Sequence, residues 1–129
     1  MAFLFCAVLA ASVTVTGSAS AVVAAIDGDD TVILSDTKTS ATASGTVVCT
    51  AGNQVNIQVN VIQTSAGVDA VSLGSSDITC TGQVQTWSVT TNIVIGSRFK
   101  RGPATLGFAG FDLTDNTSSQ SIFMGAKLK

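Results

Sequence analysis

Apolar and amide side chains alternate over four cycles in the segment 54–63, and this pattern constrains the fold more than any other feature of the chain. The apolar positions are Val55, Ile57, Val59 and Val61. The amide positions are Gln54, Asn56, Gln58 and Asn60. An amphipathic helix repeats its apolar residues every three or four positions, whereas a half-buried strand repeats them every two. The segment is therefore predicted to be a β-strand with one face in a core and one amide-lined face in water.

Shorter strand-like segments, separated by turn residues, recur along the rest of the chain after residue 26. The predicted strands are 31–35, 43–50, 54–63, 68–73, 77–80, 83–95, 104–113 and 120–129. Within 104–113 the apolar phase changes at Ala109–Gly110, which predicts a β-bulge there. The pattern predicts an all-β domain of about seven to eight antiparallel strands, arranged as a face-to-face β-sandwich or, as the second choice, a small closed β-barrel.

The composition limits what the protein can do. The 129-residue chain has a formal net charge of −2, and only 11% of its residues are charged. Such a small charge, without a basic stripe, argues against nucleic-acid binding. The chain also contains no His. This absence removes Ser-His-Asp and Cys-His catalysis and the commonest transition-metal ligand, so we expect no enzyme activity, no cofactor and no metal ion.

Residues 1–21 have the features of a secretory signal peptide. An uncharged, largely apolar run covers residues 2–15, and the small residues Ala19, Ser20 and Ala21 follow it. This order matches the apolar region and cleavage site that signal peptidase requires. A retained membrane anchor is the alternative, but a spanning helix needs about 20 apolar residues, and polar residues begin here at Ser12. We expect cleavage after Ala21, one domain at 22–129 with no membrane span, and a secreted or cell-envelope location.

Cleavage after Ala21 would remove Cys6 and leave Cys49 and Cys80 as the cysteines of the mature domain. Each of these two ends a predicted strand, and export would place the pair in an oxidising compartment. We predict a structural disulfide between them, which closes a loop of about 32 residues. A redox or metal role is the alternative, but the pair lacks Cys-x-x-Cys spacing and a neighbouring basic residue.

Two surfaces are candidate ligand sites. The amide face of the central strand supplies hydrogen-bond donors and acceptors for a carbohydrate or another small ligand. Its residues are Gln54, Asn56, Gln58 and Asn60. Arg98, Lys100 and Arg101 form the second surface, which either binds an anionic polymer or is a solvated connection. Trp87 is in phase with Val89 and is predicted to lie in the core rather than to form a sugar-stacking platform.

Carboxylate groups give two further hypotheses, and each has a simpler interpretation. Asp27, Asp29 and Asp30 offer oxygens to Ca²⁺, but their spacing fits a solvated turn better. Asp112 and Asp115 have the chemistry of a glycosidase-like acid/base pair, but no aromatic-lined cleft accompanies them in the sequence. We therefore predict neither a metal ion nor catalytic residues at these positions.

Several short motifs resemble those of small secreted proteins of unknown function that are common in actinobacteria. Besides the alternating strand, the motifs are Val47-Val48-Cys49-Thr50, Ile78-Thr79-Cys80-Thr81-Gly82, Gln85-Thr86-Trp87 and Phe99-Lys100-Arg101-Gly102-Pro103-Ala104. The resemblance implies a single immunoglobulin-like β-sandwich with one disulfide behind a signal peptide, and it implies no catalytic residues. Because Trp87 follows the second cysteine, the bridge differs from that of antibody domains.

These observations predict a secreted, non-enzymatic β-sandwich that binds or packs on an envelope polymer or another protein. A carbohydrate or small-ligand binding module is one alternative. A subunit of an extracellular assembly, which donates the strand 120–129 to another copy, is the other alternative.

Overall fold

The computed structural model describes residues 23–65, 67–119 and 121–129, which form nine strands and contain no helix. The strands are β1 (Val23–Gly28), β2 (Thr31–Leu34), β3 (Ser40–Cys49), β4 (Gln54–Ser65), β5 (Val68–Thr79), β6 (Gln85–Ile95), β7 (Gly102–Asp112), β8 (Thr117–Ser118) and β9 (Ile122–Leu128). The all-β prediction is confirmed. The predicted signal peptide, residues 1–21, lies outside the described residues. Within those residues, no helix has the length and hydropathy needed to cross a membrane.

The sheet closes into a seven-strand barrel. The order around the barrel is β2, β3, β6, β5, β4, β7 and β9, after which β9 pairs with β2. The β2–β9 pair is parallel, and the other pairs of the barrel are antiparallel. β1 pairs with β3 beside β2, and β8 pairs with the end of β7. β9, the predicted donor strand for an assembly, pairs with β7 along its whole length.

The architecture is the second choice, a barrel, and not the expected β-sandwich. In a sandwich the two sheets would have free edges, but here β5 and β2 each pair with a strand on both sides and so connect the sheets. β5 pairs with β4 along its whole length and with β6 at Val71, Ser72 and Leu73. β2 pairs with β3 on one side and with β9 on the other. Alternation in a sequence shows that one strand face is buried, and both architectures bury such a face. The immunoglobulin-like sandwich that the resemblance implies is therefore not the architecture observed.

β5 is one continuous strand, whereas the turn residues at 74–76 predict two strands. Gly74 does not turn the chain, because it pairs with Val59 of β4 within a continuous register. The backbone of β6 passes close to it. A Cβ at this position would lie 2.5 Å from the Thr90 carbonyl oxygen and 3.0 Å from the Thr91 Cα. The glycine marks a close approach of two strands rather than a break, and the prediction of a break is wrong.

β7 contains no bulge, and the prediction of one at Ala109–Gly110 is wrong. Its register with β4 continues without a shift. Gly110 and Asp112 consequently take the inward positions, and Phe111 points outward. An inward carboxylate is tolerated here because the Asn53 side chain donates a hydrogen bond to Asp112 at 3.0 Å. Phase alone could not show that an acidic residue would replace an apolar one inside the barrel.

Alternate residues of the long strands fill the barrel interior. The largest apolar side chains that are fully buried are Phe99, Ile57, Leu106, Leu128, Val32, Val47, Val55, Val61 and Val89. Trp87 lies in the same core and is only 2% exposed, which confirms its predicted position. Its ring centroid is 5.6 Å from that of Phe108. Its indole N–H donates to the carbonyl oxygens of Asp27 at 3.0 Å and Thr46 at 3.2 Å, so Trp87 also connects β6 to β1 and β3.

A buried pair of hydroxyl groups links three strands where the barrel closes. Thr91 of β6 donates a hydrogen bond to the Ala41 carbonyl oxygen of β3 at 2.8 Å. Since this uses the only hydroxyl proton of Thr91, Ser72 of β5 donates to the Thr91 oxygen at 2.7 Å. Both side chains are fully buried. These hydrogen bonds reinforce the β5–β6 contact, where only three residues of β5 pair.

Replacing Thr91 by valine keeps the side-chain shape but is expected to lower the free energy of unfolding by about 1–3 kcal/mol. The Ser72 hydroxyl and the Ala41 carbonyl would lose this partner inside the barrel. Urea denaturation measures the change. Thr90→Val is the matched control, because the Thr90 hydroxyl bonds to that of Thr42 at an exposed position, and its loss should cost less than about 0.5 kcal/mol. Equal effects of the two substitutions would contradict the role given to the buried pair.

Candidate functional site

The four amides predicted as a ligand surface fall into two pairs. All four lie on the outer side of β4, opposite its buried apolar residues. Gln54 Nε2 donates to Thr79 Oγ1 at 2.7 Å, and Asn56 Nδ2 donates to Asp77 Oδ1 at 2.7 Å. These two amides are therefore engaged with the neighbouring strand β5. The other two, further along β4, make no side-chain hydrogen bond to any described residue.

Those two amides, Gln58 and Asn60, line a groove on the outer face of β5, β4, β7 and β9, which we name the outer groove. It has a volume of about 390 Å³. The other outward-facing residues of its lining are Leu73, Ser75, Ala109, Ser121 and Phe123. Among the residues that the structure describes, no charged side chain lines the groove. The site combines amides, hydroxyls and apolar groups.

Two exposed apolar side chains bound the outer groove. The strand register places Leu73, Asn60, Gly107 and Phe123 in one row across four strands. Leu73 is 51% exposed and Phe123 is 64% exposed. Four adjacent strands span about 14 Å at the usual strand spacing. Large apolar side chains that are this exposed, beside uncommitted polar groups, are typical of a ligand-contact surface.

Gly107 lies between Asn60 and Phe123 in this row, beneath the two side chains that line the groove. A Cβ on Gly107 would lie 2.7 Å from Oδ1 of Asn60 and 2.7 Å from Cε1 of Phe123. Because no side chain is present, the amide and the ring can both lie close to the sheet. Glycine weakens a strand interior in general. Its position here is explained by the close packing of two side chains that line the groove.

The Asn60 side-chain oxygen is buried and accepts no hydrogen bond from the described residues. A buried acceptor without a partner costs about 1–3 kcal/mol, so rotation of the Asn60 amide toward a ligand donor in the groove would remove this cost. The Gln58 amide and two serine hydroxyls add further neutral donors and acceptors. An aromatic ring lies next to them. This set of groups suits a neutral, hydroxyl-rich molecule better than an ion.

Arg98, Lys100 and Arg101, the second predicted ligand surface, lie on the β6–β7 connection and outside the outer groove. All three side chains are exposed. The loop backbone is nevertheless anchored, because Phe99 is fully buried in the core. Gln63 also binds Lys100 twice: its Nε2 donates to the Lys100 carbonyl at 2.8 Å, and the Lys100 N–H donates to its Oε1 at 2.8 Å. The two predicted surfaces are thus separate sites.

Asp112 and Asp115, the two carboxylates with the chemistry of an acid/base pair, are brought together by one amide. Nδ2 of Asn53 donates to Oδ2 of Asp112 at 3.0 Å and to Oδ2 of Asp115 at 2.9 Å. The Asp115 N–H donates to Oδ1 of Asp112 at 2.7 Å. Asp112 is fully buried. Its two oxygens hold the turn after β7 against the β3–β4 hairpin, which supports a structural interpretation.

The acidic segment 27–30 belongs partly to β1, a strand outside the predicted set. Asp27 lies in β1, and Asp29 and Asp30 connect β1 to β2 rather than forming a free terminal turn. Asp29 accepts a hydrogen bond from Oγ of Ser44 at 3.2 Å. In the part of the chain that the structure describes, no three His, Cys, Asp or Glu side chains are grouped as metal ligands.

Cys49 and Cys80 form the predicted disulfide, with their Cα atoms 5.5 Å apart. Cys49 ends β3, and Cys80 follows β5. The Cys80 backbone also binds the β3–β4 hairpin, because its carbonyl accepts from Gly52 N–H and its N–H donates to the Asn53 carbonyl, both at 2.8 Å. The bridge therefore joins β5 to this hairpin at the end of the barrel where β5 and β6 no longer pair.

Sequence reasoning found two of the seven outward-facing residues that line the groove. It identified Gln58 and Asn60 but not Leu73, Gly107 and Phe123. A signal for Phe123 was present, because it is out of phase with the buried residues of the last strand and in phase with its lysines. No signal could place it beside Asn60, since the two residues lie 63 positions apart and meet only through the pairing of β4, β7 and β9.

Comparisons with protein-family models, with curated proteins and with solved structures find no match. No ligand, catalytic residue or partner is therefore carried over from another protein.

Proposed function

We propose that this protein is a secreted or envelope-associated binding module, without catalytic activity, whose outer groove binds a neutral saccharide. The observation that carries the proposal is the juxtaposition of two uncommitted amides and an exposed aromatic ring in one uncharged groove. Sugar hydroxyls donate and accept hydrogen bonds, as the Gln58 and Asn60 amides do. The C–H face of a sugar ring packs on an aromatic face such as that of Phe123.

The shape of the outer groove favours a short saccharide chain as the ligand over a single small ion. Its row of residues runs about 14 Å across four strands, with apolar side chains at both ends. Ser75 and Ser121 lie in the adjacent row, beside Gln58. A disaccharide or a segment of a longer glycan would contact both rows at once.

Two further observations support the non-enzymatic and extracellular parts of the proposal. Asp112 and Asp115 are the two carboxylates that most resemble a catalytic pair. Both accept a hydrogen bond from the Asn53 amide, and they stabilise a turn. The Cys49–Cys80 disulfide is consistent with an oxidising, extracytoplasmic location.

Titration with neutral β-glucan, mannan and chitin oligosaccharides, followed by NMR of the backbone amides, tests the proposal. We expect at least one of these probes to perturb the amides around Asn60, Gly107 and Phe123 at millimolar concentration. Gly107→Ala should weaken that binding at least about tenfold, because its methyl group would displace the amide and the ring that line the groove.

Gly125→Ala is the matched control, since it lies on β9 and a Cβ there meets no atom within 4 Å. It should leave the affinity unchanged. Circular dichroism checks that both variants stay folded. The absence of perturbation by every probe, or equal affinities of Gly107→Ala and the wild type, would overturn the saccharide proposal.

A further inference from the structure

All six cationic side chains of the chain lie at one end of the barrel, which we name the basic pole. They are Lys38, Arg98, Lys100, Arg101, Lys127 and Lys129. They come from three distant segments that the fold brings together. The Phe99 N–H donates to the Lys38 carbonyl at 2.8 Å, Lys127 pairs with Pro103, and the Leu34 N–H donates to the Lys129 carbonyl at 2.8 Å. Five of the six side chains are exposed, and that of Lys38 is half-buried.

The carboxylates are distributed differently. Asp36 and Asp69 lie at the basic pole, and the Asp30 carbonyl accepts a hydrogen bond from the Lys127 N–H. The other five acidic residues lie away from the pole and are Asp27, Asp29, Asp77, Asp112 and Asp115. The pole thus combines six positive with three negative charges, although the whole chain has a net charge of −2. Positive charge is therefore concentrated at one end of the protein, although the net charge of the whole chain is small.

Exposed aliphatic side chains adjoin these cations. Val94 and Ile95, the last residues of β6, are 57% and 58% exposed and lead directly into the loop that carries Arg98. Apolar side chains surrounded by basic ones are typical of surfaces that bind at the headgroup layer of a membrane. The loop backbone is already ordered by buried Phe99 and by Gln63, so binding requires little further ordering.

We propose that the basic pole docks the protein on an anionic lipid surface. The cations contact lipid phosphates, and Val94 and Ile95 enter the headgroup layer. A lipid surface is favoured over a soluble polyanion, because the exposed Val94 and Ile95 side chains beside the cations can enter an apolar layer, which a polyanion does not offer. The outer groove lies halfway along the strands, so docking leaves it open to solvent.

Vesicle flotation tests the proposal with phosphatidylcholine vesicles and with vesicles that contain about one third phosphatidylglycerol. We expect binding only to the anionic vesicles, and weaker binding as ionic strength rises. Each cation near an anionic surface strengthens binding about fivefold, so the triple variant R98Q/K100Q/R101Q should bind about 100-fold more weakly. V94S/I95S should also reduce binding, whereas Gly107→Ala should not.

D27N/D77N is the matched charge control, because it removes two charges that lie away from the pole. It should leave vesicle binding unchanged within about twofold, since distant charges are screened. Equal binding to both kinds of vesicle, or an unaffected triple variant, would overturn the proposal. Retention on dextran sulfate without vesicle binding would also overturn it, and would assign the pole to an anionic polymer.

Discussion

Replacing Trp87 by alanine is expected to lower the free energy of unfolding by about 3–5 kcal/mol. The indole ring is almost completely buried and packs against the ring of Phe108. Its N–H donates to the Asp27 and Thr46 carbonyls, so the substitution also removes a link from β6 to β1 and β3. A small domain has a net stability of about 5–15 kcal/mol. This single substitution would therefore remove a large fraction of the net stability.

The barrel wall cannot close readily around the space that Trp87 would leave. Gly45 lies under the ring, and a Cβ there would meet the Asp27 carbonyl and lie 2.8 Å from Cζ2 of Trp87. The backbone is thus shaped to the indole, and the cost of truncation rises with the volume left unfilled. Trp87→Phe retains a ring and should cost clearly less than Trp87→Ala.

Guanidinium chloride denaturation measures both Trp87 variants. Val84→Ala is the control, because Val84 is exposed and its truncation should change stability by less than about 0.5 kcal/mol. A loss below about 1 kcal/mol for Trp87→Ala would show that the ring is not a central part of the core.

Removing the disulfide by a C49A/C80A double substitution is expected to cost about 3.7 kcal/mol in the chain-entropy model. The bridge closes a loop with a sequence separation of 31 residues, so its loss gives the unfolded chain considerably more freedom. The bridge also acts where β5 and β6 do not pair, because these two strands pair only at Val71–Leu73, away from Cys80. Stability should fall most at the β3–β4 hairpin.

Amide hydrogen exchange separates this local effect from a global one. We expect the Gly52 and Cys80 N–H groups, which bond across the bridged end, to lose protection more than the Ser72–Thr91 region does. Chemical reduction of the wild type in mild denaturant should reproduce the stability loss. An unchanged denaturation midpoint in the double variant would contradict the predicted contribution of the disulfide.

The periodicity of apolar side chains correctly predicted features that depend only on neighbouring residues in the sequence. The alternation at 54–63 identified β4 and its buried face, and the phase of Trp87 placed it in the core. Local patterns gave wrong predictions where the position of a residue depends on a contact with a residue distant in the sequence. Gly74 resembles a turn residue but lies in a strand beside Thr90, and Asp112 lies inside the barrel because Asn53 donates to it.

The amino-acid sequence by itself determined the all-β class, the face of β4 that is buried and the pairing of Cys49 with Cys80, because each follows from side-chain period or from the residues available. Only the tertiary structure decided that the sheet closes, that Phe123 lies beside Asn60 over Gly107, and that six cations meet at one pole. Neighbours across strands depend on strand order and register, and these are set by the packing of the whole core rather than by any local segment.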